Sequence, residues 1–207
     1  MDTPVFSGGT LNQTLSKARI IGAQRRYALV LAMAVALLLA ACGGGTNGDT
    51  QLIDQNEQNG DLAPDFLISM FQGQDVVGGQ DINFHDLTGE KPIVLNFWAG
   101  LCPPCRAEMP DLQEFSNEYE DRALLLGIDL GQFTGLGNLE DAQELLNDLG
   151  VSYPAGYTED DQVIRNYKVL GMPTTVFINA DGTIHDKWTG ALTRSTLEEK
   201  TDEMLAR

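Results

Sequence analysis

Residues 93–98 read Ile93-Val94-Leu95-Asn96-Phe97-Trp98, and they run through Ala99-Gly100-Leu101 into Cys102-Pro103-Pro104-Cys105-Arg106. The first part is apolar apart from Asn96 and β-branched at its start, the pattern of a strand covered on both faces. The cysteines then fall at the start of a helix, with Cys105 one turn beyond Cys102 on the same side. Glu108, Leu112, Phe115 and Tyr119 continue that helix at helical spacing, and Pro110 is expected to kink or restart it. Partial positive charge at a helix start favours thiolate over thiol. Cys102, at the exposed end, is therefore the candidate nucleophile, and Cys105, more shielded, the candidate resolving sulfur. Their short spacing makes resolution intramolecular.

Outward from this segment, residues 65–70 and 80–87 have strand composition on either side of a Gly-rich turn. Downstream, 123–130 reads as an apolar strand and 139–149 as a helix, with Gly150 in the position that ends helices. Residues 174–178 and 183–188 flank Asn179-Ala180-Asp181-Gly182, whose Asp-Gly favours a hairpin turn. A last helix is expected from Ser195, where Glu198 completes a capping box and Leu197, Met204 and Leu205 face inward. Trp188 and Gly190 read as sheet packing, and Glu159-Asp160-Asp161 as a solvated loop. The expected fold class is α/β, a mixed central β-sheet sandwiched by helices with an extra N-terminal β-hairpin.

The chain has 207 residues, 43% hydrophobic and 21% charged, which fits one globular domain with an appendage. From residue 42 onward, 9 Lys and Arg face 29 Asp and Glu. So acidic a surface repels phosphate backbones and anionic lipid heads, which argues against nucleic acid as a partner and against electrostatic membrane attachment. Membrane contact has to come from the N-terminus. There Arg25-Arg26 precedes an apolar run over residues 27–41, short of the roughly 20 residues of a spanning helix but suited to a secretory signal. The run closes in Leu39-Ala40-Ala41-Cys42, which resembles the lipobox of bacterial lipoproteins. That resemblance implies lipidation of Cys42 and cleavage just before it; an uncleaved N-terminal anchor is the alternative. The expected organisation is a lipoprotein signal peptide at 1–41, a flexible Gly- and Gln/Asn-rich tether at 42–61, and one domain at 62–207.

Three cysteines is an odd count for an exported protein. Lipid on Cys42 would leave Cys102 and Cys105, a pair that closes too small a loop to staple a fold and suits redox chemistry better. The same spacing also serves as half of a zinc site or as an inert disulfide. Zinc needs two further ligands, and the sequence offers only His85 and His185, far apart, so no metal and no cofactor is expected. Pro103 and Pro104 lack backbone N–H groups, so amide donors toward the Cys102 sulfur begin with Cys105. This predicts a modestly lowered Cys102 pKa and a disulfide that is not strongly oxidising; alternatively the prolines only stiffen the helix start.

Phe97-Trp98-Ala99 followed by Cys102-Pro103-Pro104-Cys105-Arg106-Ala107-Glu108-Met109-Pro110 resembles the active-site segment of the thioredoxin superfamily. In particular it is similar to the TlpA/ResA-like membrane-anchored thiol-disulfide oxidoreductases, with their AhpC/TSA-Redoxin-like domain. Ala63-Pro64-Asp65-Phe66, Leu87-Thr88-Gly89-Glu90-Lys91-Pro92 and Gly171-Met172-Pro173-Thr174-Thr175 match the same pattern across the domain. The resemblance implies a thioredoxin-like fold and a redox-active Cys102-Cys105 disulfide. It implies a cis Met172-Pro173 peptide facing the cysteines, with Met172 binding substrate through its main chain. Asn96 stands where thioredoxins proper carry a buried aspartate, and Glu108 where the TlpA/ResA-like proteins carry a glutamate, implying a proton shuttle for the Cys105 thiol. Trp98 is expected as a partly exposed wall of the substrate groove, and Arg106 as a steering or merely solvated charge.

The expected function is an extracytoplasmic thiol-disulfide oxidoreductase, working as a protein-disulfide reductase on exported proteins. The resemblance implies apocytochrome c or copper-site cysteine pairs as partners and a membrane-embedded thiol relay as electron donor. The location is the outer face of a bacterial cell membrane, on the periplasmic side where there are two membranes, through lipidated Cys42. The alternatives are a peroxiredoxin-like peroxidase and a copper-binding thioredoxin-like chaperone. Such chaperones use a Cys-x3-Cys spacing and a later histidine near the cis-proline position, where this chain has Cys-x2-Cys and Met172-Pro173.

Overall fold

A computed structural model describes residues 61–206. The expected signal peptide and Cys42 lie outside the described residues, as do residues 42–60 of the expected tether. In chain order the elements are β1 (Leu67–Gln72), α1 (Gln74–Val77), β2 (Asp81–Asn83), β3 (Ile93–Trp98), α2 (Pro103–Tyr119), β4 (Leu124–Asp129) and α3 (Gly131–Thr134). There follow α4 (Leu139–Leu149), β5 (Ala155–Tyr157), α5 (Gln162–Asn166), β6 (Thr174–Ile178), β7 (Ile184–Thr189) and α6 (Arg194–Leu205). The strands form one sheet in the order β2-β1-β5-β4-β3-β6-β7. The β3-β4 and β4-β5 pairs are parallel and the others antiparallel, so the sheet is mixed and carries the expected N-terminal hairpin.

The apolar run of β3 is buried along its whole length, and its alternation distributes side chains between two cores. Ile93, Leu95 and Phe97 enter one cluster with Phe66, Phe84, Val163 and Tyr167. Val94 and Trp98 enter the other with Cys102, Cys105, Met109, Leu145 and Leu197. Helices α2, α4 and α6 thus cover one face of the sheet, while α1, α5 and a 3-10 turn at Phe84–Leu87 cover the other.

Several expectations shift. Residues 80–87 give only the short β2, because Phe84 dives into the core and Asn83 and Asp86 cap the 3-10 turn that follows. The Gly-rich turn before it contains α1. Pro110 does not interrupt α2, which is continuous; Pro110 and Arg106 both lie on its exposed side, where the carbonyl freed by the missing N–H opens to water. Helix α6 starts one residue early, with Thr193 as its N-cap accepting from the Thr196 amide. Glu198 accordingly pairs with the Arg194 side chain rather than closing a capping box. Trp188 is 38% exposed on the edge strand, with the Lys200 ammonium over its ring, rather than packed within the sheet. Helix α4 ends as expected at Gly150, in the left-handed conformation.

Candidate active site

Strand β3 ends at Trp98, and four residues later Cys102 is the N-cap of α2. Gly100 makes the intervening turn possible: a Cβ there would lie 2.6 Å from the backbone of Asp141 and Ala142 at the start of α4. Cys102 and Cys105 are joined by a disulfide with Cα atoms 5.3 Å apart. With two prolines between them, the Cys105 amide is the backbone donor to the Cys102 sulfur, at 3.3 Å. Cys102 is less open than expected, at 3% exposure, and Cys105 is fully buried. Trp98, expected as a partly exposed wall, is fully buried. Its indole lies over Gly127 of β4, where the missing side chain makes room for it.

Glu108 follows Cys105 by one helical turn and is buried beneath the disulfide-bearing end of α2, at 2% exposure. Asn96 Nδ2 donates to Glu108 Oε1 at 2.9 Å and to Thr175 Oγ1 at 3.0 Å, and the Leu192 amide donates to Glu108 Oε2 at 2.9 Å. Burial pushes the carboxyl up from 4.5 to about 7, against the pull of these two donors and with a small push from the charge of Asp111. The group therefore changes protonation near neutrality, as a proton carrier must.

The Met172-Pro173 peptide is cis. It leads into β6, whose Thr174 stands opposite Phe97 of β3, so this turn sits at the same end of the strands as the cysteines. Met172 is half-buried and packs against the cluster that contains both cysteines, while the Gly190 amide donates to the Pro173 carbonyl. Arg106 lies on the surface and faces Asp148 at 3.5 Å, a pair worth little in solvent.

Asp129 is a further buried carboxyl at the site, beyond the residues expected from the sequence. It closes β4 opposite Trp98, is fully buried, and accepts from the Gly131 amide at 3.2 Å. Burial pushes it up to about 6, opposed by the Gly131 and Gly100 amides. A carboxylate ending an otherwise apolar strand beside the cysteine-bearing one was the available signal. Leu192, acting through its amide, and Tyr153, packed against Trp98 around Gly127, left no comparable trace.

Residues 59–187 match the AhpC/TSA family. The chain is 33% identical to the thiol-disulfide oxidoreductase ResA of Oceanobacillus iheyensis over 139 residues, which cover 67% of this chain and 69% of that one. It is 30% identical to the thioredoxin-like protein YneN of Bacillus subtilis over 146 residues, 70% of this chain and 79% of the relative. Among solved structures it resembles a putative thiol:disulfide interchange protein DsbE from Chlorobium tepidum. The TM-score is 0.59 at 27% identity, covering 71% of this chain and 97% of that one.

Proposed function

The chain belongs to the AhpC/TSA family and is a thiol-disulfide oxidoreductase, and from that premise we propose that it reduces disulfides of exported proteins while anchored to the outer face of a bacterial membrane by lipid on Cys42. The observation that carries this reading is a Cys102-Cys105 disulfide at a helix start with the buried Glu108 carboxyl one turn behind it.

In the working cycle the Cys102 thiolate attacks one sulfur of a partner disulfide. A Cys102-partner bond forms, and the partner's other sulfur leaves as a thiolate. Cys105 then passes its proton to the Glu108 carboxylate and attacks the Cys102 sulfur. The Cys102-Cys105 bond forms, and the partner's second thiolate leaves and is protonated. Two electrons have moved from the cysteine pair to the partner. An external dithiol, proposed as a membrane-embedded thiol relay, restores the pair by the same exchange. Met172, Pro173 and the neighbouring strand end are the proposed seat of the extended substrate segment.

The reductive direction is supported by the sparse set of donors at the nucleophile. A strongly oxidising pair needs a heavily stabilised thiolate, and Pro103 and Pro104 withhold two of the amides that would provide it. Haem-attachment cysteines of apocytochrome c or a copper-site cysteine pair are the proposed substrates. Replacing Cys105→Ser in cells and isolating the adduct held on Cys102 tests this reading. Disulfide-bearing apoproteins of these kinds are the expected catch; newly exported proteins still to receive their disulfides would overturn the reductive assignment.

A further inference from the structure

Among the buried polar atoms of the described residues that lack a hydrogen-bonding partner, Asn96 Oδ1, Trp98 Nε1 and the Tyr153 hydroxyl lie together on the α2 face of the sheet, with Asp129 Oδ2 at the end of β4 beyond them. The first three residues gather around one point. Asn96 stands directly opposite Gly127 in the parallel β3-β4 ladder. A Cβ on Gly127 would lie 2.9 Å from Trp98 Nε1 and 3.1 Å from Tyr153 Cε2. Asn96 also spends its amide hydrogens on Glu108 Oε1 and Thr175 Oγ1, which leaves its oxygen as a free acceptor.

The inventory of this cluster is complementary. Trp98 and Tyr153 each offer one donor, Asn96 offers an acceptor, and each Glu108 oxygen retains a lone pair beyond its single partner. A water molecule accepts two hydrogen bonds and donates two, and buried polar sites with this many partners are where internal water is held. We propose that Tyr153 is a positioning residue for the Glu108 proton: its phenol, the Trp98 indole and the Asn96 oxygen enclose one internal water that donates to the Glu108 carboxylate. The inference rests on reading Glu108 as the proton carrier of the cycle.

Among the described residues, the charged or titratable groups that act on Glu108 are Asp111 on its own helix and Tyr153, while Cys105, one turn before it, is held in the disulfide. Strands β3 and β6 present the neutral Asn96 and Thr175, and the segment before α6 presents the Leu192 amide. The phenol is held protonated by burial and by the charge of Glu108, so it serves as a donor throughout the working range. Through the water it favours the carboxylate. Without the hydroxyl, Glu108 holds its proton to higher pH.

Tyr153→Phe removes the hydroxyl and keeps the ring, so a residue that only packs would leave the titration of Glu108 unmoved. The full chain is labelled with ¹³C at glutamate carboxyls, Glu108 is assigned with Glu108→Gln, and its midpoint is followed by NMR. The expected result is an upward shift of about half a pH unit or more in Tyr153→Phe; an unchanged or lowered midpoint overturns the inference. A second measurement uses the unaltered chain: the Trp98 indole proton is expected to show a cross-relaxation peak with a long-lived water, and its absence overturns the inference equally. Resolution kinetics separate the two layers. If Glu108→Gln changes the pH dependence of resolution but Tyr153→Phe leaves the carboxyl midpoint in place, the inference alone fails. If the midpoint shifts while Glu108→Gln leaves the kinetics untouched, the network stands and the proton-carrier reading on which its role rests fails.

Discussion

Tyr167 and Tyr153, buried on opposite faces of the sheet, differ in how their hydroxyls are satisfied. Tyr167 donates its hydroxyl to the Pro64 carbonyl at 2.6 Å and meets Phe66 and Phe97 edge-on. Tyr153, on the other face, is as deeply buried, and its hydroxyl has no protein partner. The contrast extends to their surroundings. One cluster is aromatic and aliphatic throughout, with Phe66 stacked on Phe84 at 5.5 Å. The other shares its space with a disulfide, Asn96 and a carboxyl group that titrates near 7. A single strand feeds both, since Ile93, Leu95 and Phe97 point one way and Val94, Asn96 and Trp98 the other. The fold thereby gathers the disulfide, the buried carboxyl and the incompletely satisfied polar groups around them on one face of the sheet.

That division can be broken most severely at Cys102, the proposed nucleophile. Cys102→Ser should lower insulin reduction by roughly 10³-fold or more, to the rate of dithiothreitol alone; substantial residual activity would move the chemistry off this face. The matching substitution on the opposite face is Phe97→Ala. It should cost about 3–5 kcal/mol of unfolding free energy in urea and leave the pH profile of activity in place. A changed profile would show that the faces are not separate.

The pH dependence of stability sharpens the contrast. Glu108 binds its proton more tightly in the folded chain, at about 7 against an ordinary 4.5. Its stabilisation is therefore complete below about pH 4.5 and is lost as pH rises through 7, a change of about 3 kcal/mol. Asp129, raised from 3.8 to about 6, should add a decline of the same sign over its lower window. Urea melts across pH 4–8 should show the fall, and Glu108→Gln should remove most of its upper part. A flat profile in the unaltered chain would contradict the burial of these carboxyls. The smallest effect is expected at the satisfied tyrosine. Tyr167→Phe strands the Pro64 carbonyl, costs about 1 kcal/mol, and should leave the Glu108 titration where it was.

Much of this division was legible in the sequence because it depends on local pattern. The apolar run Ile93–Trp98 announces a strand covered on both sides, and it forms with those bounds. The Cys-Pro-Pro-Cys segment opens a helix, and Glu108 follows at one-turn spacing. What the pattern concealed is tertiary. The three residues of β5 are too few to carry a periodicity, and they form because parallel β4 and antiparallel β1 pair with them. Trp98 looked half-exposed because an indole has a polar edge, yet Gly127 on the neighbouring strand gives it somewhere to lie flat and buried. Leu192 reaches Glu108 through a backbone amide 84 residues away in sequence, and no residue type announces such a contact. Tyr153 reads as one more core aromatic until the orphaned atoms beside it are placed.

In the proposed cycle Glu108 carries the proton that is released when the Cys102-Cys105 bond closes. Rapid-mixing kinetics of mixed-disulfide resolution test this role directly, with a cysteine peptide preloaded on Cys102 and the rate followed from pH 5 to 9 in the unaltered chain and in Glu108→Gln. The expected result is a rate that rises with a midpoint near 7 in the unaltered chain and is slower by roughly 10²-fold, without that midpoint, in the variant. Superimposable profiles would contradict the account.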